Sequence, residues 1–594
     1  MKIDNWISKY AVSRDQSFFL ACWFNQVHTH SLDSYRVRTM NPENSLRELA
    51  RIFDFGTEDE IEMVRDEVVG LLQADQVLNA EKFASLREQL LEILRKKDFV
   101  KNKGHHSMMR YLIREFSPLI EEHYVDTALE YLAAILTNGI DSTIPEQERF
   151  RKIEQCTSHL LSMLLDRDAS LESLFALYSQ ILVPRKSKGA YVFDKKLGLL
   201  RRILLTKETN YLIVLAIENV SRQQDFPSEI AGLKFLKDSP CSPHAYASAS
   251  SYLTPAPRKL FAVQEIVAQD PRAAGSKAFE KLNDILNLVR FEYEREHVAT
   301  PDMFAFTDDR DPAVARIFNL PKVVPNPSLA LDGAALAAFV QSVNELVTAE
   351  RFQIESRDRV HSAFRLYRTG LDTPILANKL MNWWTAVEFL VRGTTGSGSI
   401  GKSVETLLAP VLCRTYVAKL LVAIRNALLD EGVSIKDPVT SLDISLRGMT
   451  PEQIYVLFKR ADIQAEILNA IAINPYIHYH VSKFFDGLND LSKLRQLVRS
   501  HEQRVRWHLQ RLYRARCDTV HSARTTVSNA LLCACLEFYI KTTLMSLLRA
   551  LRIHPTLASA KEFFERESFS YERMMSQLDG KQDSSLMSCL LEYN

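Results

Sequence analysis

At 594 residues the chain is too long for one hydrophobic core, and its length suggests about three to five units, some of them fused. Charged residues make up 25% and apolar residues 46%, and 74 basic against 73 acidic side chains leave a formal net charge of +1, which excludes binding of polyanions through overall charge. The opening MKIDNWISKYAVSRDQ has no basic flank ahead of an apolar run, and no uninterrupted apolar run approaches the roughly 18 residues of a membrane span. A cytoplasmic protein without a membrane partner is therefore expected. Eight cysteines without C-x-x-C pairing suit a reducing compartment and predict free thiols.

From about 44 to 180 apolar residues recur at three and four, as in LREQLLEILRKKDF (86–99), which predicts a helical module. Between 181 and 350 the compact branched run NYLIVLAI suits a strand, and prolines and serines thicken over 238–259 and 320–333. From Ala335 onward helical periodicity returns, broken at 393–401 and at 434–453. The fold class expected is mainly α and multidomain: a helical N-terminal module over 1–180, a mixed α/β middle domain over 181–350, a helical domain over 351–555 and a helical tail over 556–594.

Residues 392–405, RGTTGSGSIGKSVE, match the phosphate-cradling pattern Gly-x-x-x-x-Gly-Lys-Ser through Gly396, Gly401, Lys402 and Ser403. Such a loop needs a buried strand to deliver it. Upstream, Trp383, Val387, Leu390 and Val391 share one helical face, and downstream no apolar strand ends directly on an Asp. A polar loop between two helices is the stronger reading, with a nucleotide switch as the alternative.

The segment 491–516 holds eight Lys or Arg against the single acid Glu502. Leu491, Leu494, Val498, Val505, Leu509 and Leu512 form a helical seam, which leaves Arg495, Arg499, Arg504, Arg506 and Arg511 largely on the remaining surface. The segment ends in YRARCDTVHSARTT (513–526), where Arg516 and His521 enclose four residues. An uninterrupted helix would set those two about 140° apart, so either a break near Asp518, Thr519 and Val520, all mediocre helix formers, or pairing across a dimer interface is expected. The next segment, 529–551, is apolar over most of its circumference and belongs at a bundle centre or a subunit contact.

At these residues the chain resembles the HEPN domains, specifically the Apea-like branch of prokaryotic anti-phage and toxin proteins, whose motif is Arg, four to six residues, then His. The phrase here is YRARCDTVHS, and Arg514 also satisfies the spacing to His521, so which arginine acts is left open. Upstream, 361–391 looks like the opening helical pair of that branch, with an Ala-x-Glu phrase at Ala386 to Glu388. The similarity covers roughly 355 to 555. Where the family commonly carries Asn, Asp or His after the motif Arg, this chain has Cys517, followed by Asp518.

The resemblance implies a HEPN-like helical bundle and a homodimeric, metal-independent endoribonuclease without a cofactor, acting as a toxin or abortive-infection effector in antiviral defence. It also implies transfer RNA as a target class, and a phage-derived trigger or inhibitory partner acting through residues 1–350. His521 suits proton transfer near neutral pH, and an arginine suits the scissile phosphate. Arg504, Arg506 and Arg511 would track the RNA backbone, Trp507 or Tyr513 would stack on a base, Glu388 would orient a catalytic group, and Asp518 is a further catalytic candidate. A non-catalytic helical scaffold that binds RNA or protein is the rival. His28-x-His30 and His478-x-His480 would each place two rings on one face if extended, but neither has a third ligand at suggestive spacing, and no metal is expected.

Overall fold

A computed structural model describes residues 10, 12–28, 40–137, 144–183, 191–206, 208–220, 223, 224, 226–243, 250–292, 298–300, 302–308, 314–320, 333–348, 350–373, 375–394, 399–522 and 530–579, apart from the side chains at 243, 250, 290–292, 314, 333–335, 520–522 and 530. Residues 1–163, 184–194 and 323–594 form one compact unit, and 164–183 with 195–322 form another. The chain is mainly α, with strands concentrated in the middle region.

The first unit opens with α1 (Arg14–Val27), α2 (Pro42–Ile52), α3 (Glu58–Ala74), α4 (Glu81–Leu94), α5 (Lys103–Thr137) and α6 (Glu146–Asp166). The starts of α1, α2 and α3 are fixed by reciprocal side-chain caps, Ser13 with Gln16, Asn41 with Asn44 and Thr57 with Glu60. Phe18 through Trp23 are all buried, so α1 is enclosed on every side rather than along one stripe.

The middle unit carries α7 (Leu171–Leu177), most of α8 (Phe193–Leu204) and α9 (Pro271–Glu292) beside β1 (Thr209–Ile217), β2 (Glu229–Ile230), β3 (Leu233–Leu236), β4 (Ser242–Pro243), β5 (Leu260–Ala268), β6 (Met303–Asp308) and β7 (Val314–Asn319). These strands order as β2-β3-β5-β1-β6-β7-β4, antiparallel except for β4 with β7. The run NYLIVLAI is the centre of that sheet. Ile213, Leu215 and Ile217 join Ala274, Ala278 and Leu282 in one core, whereas Val214 and Ala216 join Tyr252, Leu253 and Phe261 in another. Burial on both faces explains why its apolar residues do not alternate. Gly275 lets α9 approach β6, because a Cβ there would stand 2.6 Å from the Phe304 ring.

The C-terminal part adds α10 (Gly333–Thr348), α11 (Ile354–Asp372), α12 (Leu376–Val391), α13 (Ile400–Arg414), α14 (Tyr416–Asp430), a short hairpin of β8 (Ile435–Lys436) and β9 (Asp443–Ile444), α15 (Pro451–Phe458), α16 (Ala461–Ala470), α17 (Pro475–Asn489), α18 (Leu491–Ser522), α19 (Ala530–Ile553) and α20 (Ala560–Asp579). The predicted seam of α18 is in place, with Leu494, Val498, Val505, Leu509 and Leu512 fully buried. Within α19, Leu531–Ile553 is long and apolar enough to cross a membrane, but 67% of its apolar window is buried inside the protein; α13 and α14 pass the same test only as a pair bent by 42°. Seven cysteines are described, and all are free thiols, as expected; Cys589 lies outside the described residues.

Separate modules over 1–180 and 351–555 were the expectation, and the structure joins them. Phe18 stacks on Phe150 of α6 at 4.1 Å and meets Tyr479 of α17 edge-on at 5.4 Å. Arg14 bonds Glu146 at 2.7 Å and donates to the Ala472 carbonyl at 2.8 Å. The described part of the expected tail, through residue 579, likewise belongs to the bundle, since Arg414 of α13 and Glu567 of α20 pair at 2.7 Å with both side chains 9% exposed. Apolar stacking, with the buried pairs of Arg511 with Glu48 and Glu67, makes one core of the two parts.

Asp75 helps hold the N-terminal helices together, accepting from Tyr124 at 2.5 Å and from the Val77 amide at 2.8 Å, with His159 at 2.8 Å. Burial alone would raise its carboxyl; the His159 charge and these hydrogen bonds outweigh burial and hold it below the usual range. Asp75→Asn is expected to lower stability by about 3 kcal/mol at neutral pH in denaturant unfolding. Because the folded value is the depressed one, the wild-type advantage is full above pH ~4 and shrinks as pH falls toward that value.

Candidate active site

Helix α18 runs unbroken through Ser522, so the break expected before His521 is absent. One distant contact offsets the poor propensity of this stretch: Asp518 pairs with Arg51 of α2 at 2.5 Å. In a continuous helix the positions of Arg516 and His521 stand about 140° apart, whereas Arg514 and His521 fall within about 20° of each other. The backbone at His521 is helical, and its side chain lies outside the described residues. The helix end thus has one face bearing positions 511, 514, 518 and 521, and another bearing 513 and 516.

On the second face Arg516 Nε lies 3.5 Å from Glu388 Oε1 of α12, both side chains largely shielded. Trp384, wholly buried one turn earlier, donates its indole N–H to the same carboxylate oxygen at 2.6 Å and fixes its direction. Tyr513 packs 5.9 Å from the Trp384 ring and against Gly401, where a Cβ would stand 2.5 Å from its ring. Burial and the adjoining Cys517 thiol push the Tyr513 hydroxyl up. The structure therefore brings Arg516 and Glu388 together, and Tyr513 is held as a packing residue beside them.

On the first face Arg511 Nε meets Glu48 of α2 at 2.9 Å, and its Nη2 meets Glu67 of α3 at 2.5 Å; Arg514 also bonds Glu48. The Arg511 and Arg514 side chains are only 11% and 12% exposed. Burial by itself would raise the Glu48 carboxyl, yet the two guanidiniums bring it down to about 2. Glu67, paired with Arg511 and close to the Glu48 charge, is raised, chiefly by burial. Sequence reasoning missed Glu48, Glu67 and Arg51; Glu48 stands 463 residues from Arg511, with no local signal of the pairing.

The open cationic face expected of α18 is largely closed from within. Arg511 is buried as described, and Arg506 pairs with Glu405 at 2.8 Å and Glu502 at 2.7 Å. Arg504, half-buried, donates to the Ser500 carbonyl at 3.2 Å, and Trp507 is half-buried as well. The other histidines of the helix are packing groups. Burial, then Arg511 and Arg504, push the His508 ring down to about 3, and His501, also pushed down by burial, stacks on Tyr416 at 3.8 Å.

The phosphate-loop alternative lacks its delivery strand, because residues 376–391 ahead of it are helix α12. Gly396 lies outside the described residues, while Gly401, Lys402 and Ser403 form the first turn of α13. Ser399 already caps that turn by accepting from the Lys402 amide, and Ser403 is buried. Lys402 Nζ reaches Glu405 at 3.1 Å, and Glu405, 1% exposed, also accepts from Gln510 at 2.7 Å. His478 and His480 sit on helix α17, where a spacing of two sets them on different faces rather than one; His30 lies outside the described residues. Among the described residues no group of three or more His, Cys, Asp and Glu could hold a metal.

Lys402→Ala is expected to change stability by less than about 1 kcal/mol, because the lysine is half exposed and Glu405 keeps Arg506 and Gln510. Glu405→Ala should cost more, about 1 to 3 kcal/mol, because the buried Gln510 amide loses its acceptor even though Arg506 keeps Glu502. Denaturant midpoints of the two variants measure the difference. Compared with known protein families, with characterised proteins and with solved structures, the chain matches none.

Proposed function

We propose that the chain is a metal-independent endoribonuclease of HEPN type, working as a regulated effector of antiviral defence. The observation that carries this reading is the continuous end of α18, which sets Arg514, Asp518 and His521 on one face while Glu388 holds Arg516 on the other. Within one chain this favours Arg514 over Arg516 as the partner of His521. Arg516, oriented by Glu388 and Trp384, is then the second cation available when two copies pair.

The chemistry needs little more than these groups. The ribose 2′ oxygen attacks the adjacent phosphorus and gives its proton to an imidazole. The P–O5′ bond breaks, and the leaving 5′ oxygen takes a proton from a second donor, supplied in a dimer by the partner copy's motif. Guanidiniums neutralise the charge that builds on the non-bridging oxygens of the pentacoordinate transition state. The products are a 2′,3′-cyclic phosphate and a 5′-hydroxyl, and DNA, lacking the nucleophile, is no substrate. Transfer RNA as the target follows from the resemblance alone.

One observation favours the rival reading of a scaffold: Arg511, Arg514 and Asp518 are all engaged in ion pairs that would serve a purely structural joint equally well. Incubating the full chain with total RNA in excess chelator separates the two. The nuclease reading expects discrete fragments ending in cyclic phosphate, with His521→Ala reducing the rate by about 100-fold or more. Overexpression should be toxic for the wild type and tolerated for His521→Ala. RNA left intact by every form of the protein would leave the scaffold.

A further inference from the structure

The arginines that the nuclease reading assigns to RNA already hold anions. Glu48 and Glu67 occupy Arg511 at 2.9 and 2.5 Å, Glu48 also occupies Arg514, and Arg51 holds Asp518 at 2.5 Å. Positions 514, 518 and 521 span about 60° of the helix surface, so the side chains that α2 sends to α18 reach the very face that bears His521.

The way α2 is anchored matters. It buries Leu46, Leu49 and Ile52 and packs on α3 and α5. What it extends to α18 is a carboxylate and a guanidinium, Glu48 and Arg51. An apolar contact is indifferent to charged ligands, but a carboxylate seated on a guanidinium is open to competition from another anion. The carboxylates cannot leave Arg511 and Arg514 with nothing in their place, because a buried guanidinium without a counter-charge is too unfavourable. Exchange for an incoming anion is the route that keeps the charge balanced, and consecutive phosphates of an RNA strand supply anions in a row.

We infer that Glu48 of α2 and Glu67 of α3 are an internal competitor for RNA phosphate at Arg511 and Arg514, so that these carboxylates must give up the face bearing Arg514, Asp518 and His521 before RNA can lie on it. This rests on the nuclease reading and supplies its restraint. No covalent step is involved; one set of ion pairs replaces another.

The test is affinity of the full chain for a labelled single-stranded RNA, read by fluorescence anisotropy at fixed low salt, with cleavage followed in the same samples. Glu48→Gln is expected to bind roughly tenfold tighter, about 1.4 kcal/mol. If that variant does not fold, Arg51→Glu decides instead, since it repels Asp518 and loosens the hold of α2 on α18 without removing either carboxylate that pairs with Arg511. Glu62→Gln, which removes an equal charge at an exposed site beside Arg65, should stay within about twofold of wild type at matched salt. Cooperative melting shows which variants are folded. Folded Glu48→Gln or Arg51→Glu that binds no tighter than wild type overturns the inference, as does a gain matched by Glu62→Gln. Tighter binding with no cleavage in any variant would remove the nuclease and keep the competitor, whereas cleavage by wild type with unchanged variant affinities would do the reverse.

Discussion

Two guanidiniums and two carboxylates, Arg511, Arg514, Glu48 and Glu67, meet where little water reaches them, and much of the first unit is arranged around keeping them together. A buried charge is tolerable only when paired, so once α18 folds with Arg511 inward, the N-terminal helices have to bring acids to it. That requirement ties residues near 48 and 67 to residues near 511 and 514. Through Arg51 it also reaches Asp518, where it supports a last helical turn that propensity alone would not favour. The shape of the candidate site, with Arg516 and Glu388 on one side and Arg514, Asp518 and His521 on the other, follows from that extra turn.

Periodicity made some of this legible. The seam of α18 was readable because a helix half-buried against a bundle must repeat its apolar residues at three and four. The central strand was readable for a different reason: buried on both faces, NYLIVLAI had no need to alternate. Ahead of the phosphate pattern at 396–403, the helical spacing of Trp383, Val387, Leu390 and Val391 was legible, and all four belong to α12.

What the chain hid is what depends on distant partners. Asp518, Thr519 and Val520 looked like a break because local propensity says nothing of Arg51. A stripe of arginines looked like a surface for polyanions because local charge does not reveal that Glu405, Glu48 and Glu67 will be folded against it. The unity of the flanking regions was hidden likewise, since Phe18, Phe150 and Tyr479 carry no mark of belonging to one aromatic cluster. By contrast Glu388 was found from its phrase alone, and Trp384 beside it was missed because an indole in an apolar helix reads first as core, which it also is.

The first unit is assembled from three stretches of chain, with the middle unit inserted between them. A ribosome therefore finishes Glu67 444 residues before it reaches Arg511, and the acids are waiting in the nascent protein when the last long helices emerge. Synthesis in that direction leaves no interval in which the arginines exist without their counter-ions, whereas a fragment starting beyond α3 would be born with both arginines bare. Gene order along a single polypeptide thus does the work that two separately translated proteins would have to achieve by timing.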